Sequence, residues 1–385
     1  MKNAEKNFHI FRVLIACTDP ALCDGITHVI DETSQFRAVQ SEGKPFEQLD
    51  RSVRVDAVVI SGNELDTNLL DLLNQARARF SKVPIIIVSD KLNEEQTRQL
   101  IKLQVHDWLH HPIDADSLIK SIENGIRGTR IKTNRVHAVI SGSGGAGATT
   151  LAVSLADLMV SQTVKKGETV ALFDLDFATG NCGYSLNMIN GFQLDKILST
   201  PQRIDAEFAN LIQEQQRDGY FVYSFKRPEL LTDANGYELV LRMLDAVNLQ
   251  HEVTILDIPY YETEWREDVL AAVNSCTLVT EGNLPALKHT IDTLERIRNL
   301  RDGDIPVQIV INKSVKRMFG NKLTKSRLKE LFGDTPVYFM PRDDALIEES
   351  LDRGVLPREI SSRSRFVRGL RKYMTTMLTP RLEAK

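Results

Sequence analysis

The sequence predicts an α/β protein made of two doubly wound domains, and three observations carry that prediction. Short apolar runs of strand length, rich in Val and Ile, alternate with longer segments of helical periodicity along the whole chain. That is the rhythm of parallel βαβ units covered on both faces. A glycine-rich turn, Gly142-Ser143-Gly144-Gly145-Ala146-Gly147, falls directly between one such run and a helical segment. At 385 residues the chain exceeds one ordinary core and suits two, at roughly 100–200 residues per domain.

In the first half the strand-like runs are FRVLIAC, DAVVIS, VPIIIVS and HDWLHHP. The amino-terminal MKNAEKNFHIFRVLIAC reads as a first strand, because its apolar stretch is short and leads into Thr18-Asp19-Pro20, with no small-residue cleavage site. The basic stretch from Gly125 to Arg135, GIRGTRIKTNR, shows no apolar periodicity. The domain boundary is expected there, giving domains 1–129 and 130–385. The second half restarts with VHAVISG, the glycine turn and the helical run TTLAVSLADLMV, then TVALFDLD, YFVYSF, EVTILDIP, CTLVTE, VQIVINK and VYFMP. At least six strands interleaved with helices fit a doubly wound sheet.

The net charge of −4 argues against coating by nucleic acid or an anionic membrane, partners that select for a cationic excess. Cys17, Cys23, Cys182 and Cys276 are scattered, form no CxxC pair and sit mostly in apolar runs. They read as unpaired thiols of a reducing cytoplasm, with neither a disulfide framework nor a zinc site. No run approaches the ~20 apolar residues that cross a bilayer, so contact with a membrane is expected to be peripheral at most.

The glycine turn has the G-x-x-x-x-G spacing of a phosphate-binding loop. Successive backbone N–H groups of such a loop point into a concavity, and the following helix adds its positive dipole end. Thr149 stands where the loop hydroxyl binds Mg²⁺, and Thr150 follows it. The competing reading is a tight strand-to-helix turn with no ligand. The lysine that should follow Gly147 is Ala148. A charge-assisted contact is worth about 1.5–3 kcal/mol, so its loss should weaken nucleotide binding by about one to two decades. Transition-state charge neutralisation, most of catalysis in phosphoryl transfer, suffers more. Asp174 and Asp176 close the run TVALFDLD and Asp257 closes EVTILDIP. These are strand ends at the edge where open α/β sheets bind ligands, although acids also stand there simply as helix caps. Asp174 and Asp257 are candidates for the metal, and Asp176 for orienting an attacking water.

These residues resemble the MinD/ParA superfamily of deviant-Walker ATPases, whose loop reads KGGxGK[ST]T. Here Ser143 replaces the signature lysine and Ala148 the loop lysine. FDLDFATGNCGYSLN is similar to the family's switch segment and TILDIP to its Walker B strand. LVTEGNLPALKHTIDTLERI resembles its next strand and helix. VINK and MPRDDALIEESLDRGVLP resemble its adenine-side elements, which implies Asn312, Pro341 and Asp343 near the base. With these, the resemblance implies that Gly144, Gly145, Ala146, Gly147, Ala148, Thr149 and Thr150 hold ATP or ADP with Mg²⁺. Within the superfamily the chain is most similar to TadZ/CpaE proteins of Flp/Tad pilus assembly, which place an atypical, flavodoxin-like receiver domain ahead of the ATPase-like domain. The loop ending Gly147-Ala148-Thr149-Thr150 and the segment VTEGNLPALK carry that likeness.

The front domain is read on its own residues as a receiver without its phosphoryl acceptor. Asp19 follows the first strand, Ser61 stands at the acceptor position, Ser89 at the hydroxyl position, and His111 in place of the lysine before Pro112. At the other end, Phe366, Val367, Leu370, Tyr373, Met374, Met377 and Leu378 form one apolar helical face. Arg363, Arg365, Arg368, Arg371 and Lys372 surround it, so it is either a basic membrane-touching tail or a last helix closing the sheet.

The functional expectation is a cytoplasmic, polar or peripherally membrane-associated pilus assembly factor. It would be a homodimeric scaffold that binds nucleotide with little hydrolysis, recruits the secretion ATPase and inner-membrane platform, and has no specific nucleic-acid partner. The rivals are a slow ATPase cycling on membrane or nucleoid surfaces, with Lys166, Lys288 or a partner's residue replacing the lost lysines, and a DNA-binding partitioner.

Overall fold

The alternating apolar runs become parallel strands in both halves of the computed structural model, which describes residues 10–40, 46, 54–90, 92–162, 168–188, 190–217, 219–225, 234–300, 305–315 and 323–378. The chain divides into two units, Met1–Thr133 and Asn134–Lys385.

The first unit contains β1 (Phe11–Cys17), α1 (Pro20–Asp31), β2 (Phe36–Gln40), β3 (Ala57–Ser61), α2 (Thr67–Arg79), β4 (Ile85–Val88), α3 (Glu94–Lys102), β5 (Asp107–Leu109) and α4 (Ala115–Thr133). Its strands pair in parallel in the order β2-β1-β3-β4-β5, the order of flavodoxin-like sheets. Alternate residues of each strand feed opposite layers. Val13 and Ile15 pack with Ile26, Ile30, Leu118, Ile122 and Ile126, whereas Leu14 and Ala16 pack with Leu69, Leu73 and Leu100. Helix starts are set by side-chain caps: Asp66 accepts from the Leu69 amide, and Asn93 and Gln96 form a reciprocal capping box.

Three expectations are corrected here. Strand β2, FRAVQ, is half polar and gave no apolar run. The stretch from Gly125 to Thr133, read as an aperiodic connection, is the second half of α4. Its glycines suggested a linker, yet a Cβ on Gly125 would stand 2.8 Å from Pro84 Cβ and 2.9 Å from the His106 ring, so that glycine serves close packing. Cys17 and Cys23, expected to be unpaired, are joined by a disulfide. Cys17 ends β1 and Cys23 lies in the first turn of α1, and the short turn between them leaves the Cα atoms 5.7 Å apart, within bonding range. Cys182 and Cys276 are free and buried.

The second unit continues with β6 (Arg135–Ser141), α5 (Ala148–Gln162), β7 (Val170–Asp174), α6 (Cys182–Ser185), α7 (Asp195–Leu198), α8 (Ala206–Ile212), β8 (Glu214–Arg217), β9 (Tyr220–Tyr223), α9 (Ala234–Gln250), β10 (Val253–Ile258), α10 (Arg266–Ala272), β11 (Ser275–Glu281), α11 (Leu284–Asn299), β12 (Val307–Ser314), α12 (Lys325–Phe332), β13 (Val337–Pro341), α13 (Asp344–Arg353), α14 (Pro357–Ile360) and α15 (Arg365–Tyr373). The sheet order is β13-β12-β11-β6-β10-β7-β9-β8, parallel except for the β8–β9 pair. Strand β8, EQQR, has no apolar pattern and was not foreseen. The glycine turn leaves β6 at the sheet centre, where the outward order β6-β10-β7 and β6-β11-β12 diverges. Such a switch point opens a crevice at the carboxyl ends of the strands.

Helix α5 is buried along almost its whole length, from Ala148 to Met159. It shares its layer with Phe366, Val367, Leu370, Tyr373, Met374 and Leu378. Of the two readings of the carboxyl-terminal helix, the structure therefore shows the closing helix: its apolar face is inside. Gly369 makes the approach possible, since a Cβ there would meet Pro341 Cδ at 2.7 Å. No described helix is long and apolar enough to cross a membrane.

Candidate functional site

The turn between β6 and α5 is shaped by its glycines and by neighbours on three strands. The Gly142 amide donates to Val279 O at 2.8 Å, and the Ser141 hydroxyl donates to Ser143 O at 2.5 Å. Gly145 and Gly147 take φ values of 78° and 92°, a region that side chains with a Cβ rarely enter. A Cβ on Gly147 would also stand 2.5 Å from Asn312 Nδ2. Helix α5 begins at Ala148, so its free N–H groups and dipole end face the turn, the arrangement that attracts phosphate. Ala148, at the position of the missing lysine, is only 6% exposed and packs its methyl into the core layer.

Thr149, Asp174 and Asp257, the expected metal residues, converge. Asp174 and Asp257 are direct register partners on β7 and β10, and both are buried. Thr149 is hydrogen-bonded to Asp257. Asp174 accepts from Ser224 Oγ at 2.8 Å, from the Cys182 amide at 3.1 Å and from the Asp176 amide at 3.2 Å. The Cys182 thiol, which sequence reasoning did not place here, donates to Asp257 Oδ2 at 3.3 Å. One ligand atom from each of Asp174, Cys182 and Asp257 lies within 4.8 Å of the others. Burial pushes the Asp174 carboxyl up to about 6, and burial together with the Asp174 charge pushes Asp257 up to about 8. Neither carboxylate has an ion-pair partner among the described residues. Two buried acids without a counter-charge beside a loop hydroxyl fit a divalent cation such as Mg²⁺, which would supply that charge.

Asp176 lies beside this cluster, near enough for its charge to raise both buried carboxyls, but its own carboxylate is engaged elsewhere. Its carboxylate accepts from the Thr179 amide and hydroxyl, both at 2.7 Å, and from the Tyr261 hydroxyl at 2.5 Å. These three bonds turn it into the Phe177–Thr179 bend.

On the other flank, Asn312 donates through Nδ2 to Ala146 O at 2.8 Å, tying β12 to the loop. Next to it opens a cleft of about 450 Å³ lined by Glu281, Asn312, Lys313, Val315, Phe339 and Arg342, among others, large enough for a nucleobase. Pro341 and Asp343 are not in that lining. Pro341 abuts Gly369, and the Asp343 carboxylate accepts from the Phe366 amide at 3.2 Å, so both also contact α15. Arg342, between them, faces the cleft. Of the lysines considered as substitutes, Lys166 lies outside the described residues and Lys288 is exposed on α11.

In the first unit, Asp19 caps α1 by accepting from the Ala21 amide at 2.9 Å. Ser61 is fully buried with its hydroxyl unpartnered among the described residues. Ser89 accepts from the Trp108 indole at 3.1 Å.

A family model for the CobQ/CobB/MinD/ParA nucleotide binding domain matches residues 137–355, more than half of the chain. The chain belongs to this family. Its fold is shared by a ParA family ATPase from Chlorobium tepidum, with a TM-score of 0.55 at 15% identity over 64% of this chain and 99% of that one. The septum site-determining protein MinD of Pyrococcus horikoshii, solved with Mg-ADP, superposes with a TM-score of 0.51 at 16% identity over 66% of this chain and all of that one. No curated protein matches the chain. The Gly142–Gly147 turn lies within the matched residues.

Proposed function

We propose that this chain is a pilus assembly and localisation factor of the TadZ/CpaE type. It binds ATP with Mg²⁺ at the Gly142–Thr150 loop and uses occupancy, rather than turnover, to set its assembly state. The observation that carries this reading is the division of the site: Thr149, Asp174 and Asp257, the residues that would hold a cation, lie together, while Ala148 replaces the loop lysine and Asp176 is tied to Thr179 and Tyr261. Backbone amides would hold phosphate and a bound Mg²⁺ would supply positive charge, but two groups needed to neutralise and orient the reaction are missing or engaged.

The first unit is the docking module in this reading. Its β2-β1-β3-β4-β5 sheet suits a receiver, and Ser61 at the acceptor position cannot form an aspartyl phosphate. A homodimer would recruit the secretion ATPase and the inner-membrane platform. The alternative, an ATPase cycling on membrane or nucleoid surfaces, loses its membrane tail, because the apolar face of α15 is inside the core.

The test pairs genetics with chemistry. Deleting the gene should abolish Flp-type pili, and an Asp176→Ala copy should restore them. Purified protein should release phosphate far below the ~1–10³ s⁻¹ of ordinary enzymes. Turnover within that range, lost in Asp176→Ala together with the pili, would defeat the scaffold reading.

A further inference from the structure

We infer that Lys313 is the cation of the nucleotide loop, delivered from β12 in place of the two lysines that the loop lacks. The inference rests on the nucleotide-binding reading above and names a residue for it.

Strand β12 is irregular where it passes the loop. Its register with β13 shifts between Ile311 and Ser314, and Lys313 sits at φ 52°, a left-handed conformation that a non-glycine residue adopts only at a cost. Bulges of this kind re-aim side chains and gather at functional sites. Here both residues of the bulge reach the loop. Asn312 donates to Ala146 O, and the Lys313 ammonium donates to Gly145 O at 2.7 Å.

Its charge is held in place by Glu281, whose Oε1 lies 2.7 Å from Nζ. Lys313 and Glu281 are both partly exposed and both line the cleft beside the loop. An ammonium carries three N–H donors. Two are spent on Gly145 and Glu281, and the third has no partner among the described residues. It stands within one hydrogen bond of a loop whose amides are arranged for an anion. A cation there does two things: it pins the carbonyl of Gly145 outward, fixing the loop in its cradle shape, and it adds positive potential at the rim where a polyphosphate enters. A purely structural contact would not need a strained backbone to deliver a charge to an exposed rim.

The test is binding of the full chain to MgATP and, separately, to inorganic tripolyphosphate, which has no base. Lys313→Met keeps the alkyl stem without the charge, and Lys313→Arg keeps the charge. Lys313→Met should raise both dissociation constants about tenfold or more, the scale of one charge-assisted contact, while Lys313→Arg stays within a few-fold of the parent. Glu281→Gln, which frees the ammonium from its counter-charge, should tighten both. Parent-like tripolyphosphate binding by Lys313→Met overturns the inference, whether or not ATP binding changes, because a loss confined to ATP makes Lys313 a base contact. If the parent chain binds neither ligand, the nucleotide reading falls along with it. If the parent binds and Lys313→Met binds equally, only the role of Lys313 falls.

Discussion

The Cys182 thiol lies 3.3 Å from Asp257 Oδ2, at the place where the start of α6 approaches the ends of β7 and β10. It closes a cluster in which two carboxyls are driven toward their neutral forms by burial. The folded state therefore holds protons that the unfolded chain, with carboxyl groups near 4, would release. Stability contributed by such groups is full below about pH 4 and is lost as pH rises through about 6 and then 8. Mg²⁺ should reverse the trend by replacing the protons. Thermal unfolding from pH 5 to 8 should show a falling midpoint without metal and a flatter one with millimolar Mg²⁺. Asp257→Asn should remove most of the difference, and a magnesium effect unchanged in that variant would show that the cation binds elsewhere.

Restoring the loop lysine should separate binding from catalysis. Ala148→Lys adds a cation at the loop and should tighten MgATP by about tenfold. It must also carry a long side chain out of a position that is 6% exposed, so the melting point should fall by a few degrees. Phosphate release should remain near background, because Asp176 stays bonded to Thr179 and Tyr261. Robust turnover in Ala148→Lys would mean that the lysine alone was limiting.

Asp157 on α5 is buried and receives both Arg358 of α14, at 2.6 and 2.9 Å, and Arg217 of β8, at 2.6 Å. Removing the acid strands two guanidinium groups that are each about 30% exposed. Asp157→Ala should destabilise the second unit by about 3 kcal/mol, the scale of breaking a buried pair from one side, as read by urea unfolding. A loss below about 1 kcal/mol would show that solvent already satisfies the arginines.

His137 is fully buried between Ser275 Oγ and Thr277 Oγ1, each 2.7 Å from a ring nitrogen, and Thr277 Oγ1 is in turn 2.5 Å from the Tyr373 hydroxyl of α15. Burial pushes its imidazole down to about 3, well below the usual 6.5. The stability tied to the neutral ring is present above pH 6.5 and is lost as pH falls toward 3. Between those values it declines by about 1.4 kcal/mol per pH unit. His137→Gln should lower stability at pH 7 yet flatten its decline on acidification. Parallel pH profiles for the two proteins would rule out His137 as the source.

Much of the second unit was legible because its chemistry is local. Strands such as VALFD and VTILDI announce themselves by composition, and the Gly142–Thr150 spacing by itself places amides and hydroxyl at a helix start. What sequence could not show depended on approach between distant segments. Cys182 reads as a small apolar residue until Asp257 is seen beside it, and Lys313 reads as an ordinary strand-end lysine until the β12 bulge turns it onto Gly145. Pro341 and Asp343 are placed near the base by family likeness alone, and their contacts with Gly369 and Phe366 of α15 were not legible in the sequence. Strands β2 and β8 carry too few apolar residues to register, since pairing with a neighbour rather than burial defines them. The Cys17–Cys23 pair was hidden by its short, turn-forming spacing.

The most direct test of the whole account is calorimetric titration of MgATP into the purified full chain, followed by a phosphate-release assay on the same sample. The account predicts saturable binding, with release near the uncatalysed background. No uptake at millimolar nucleotide with magnesium present would contradict it, as would rapid release of phosphate.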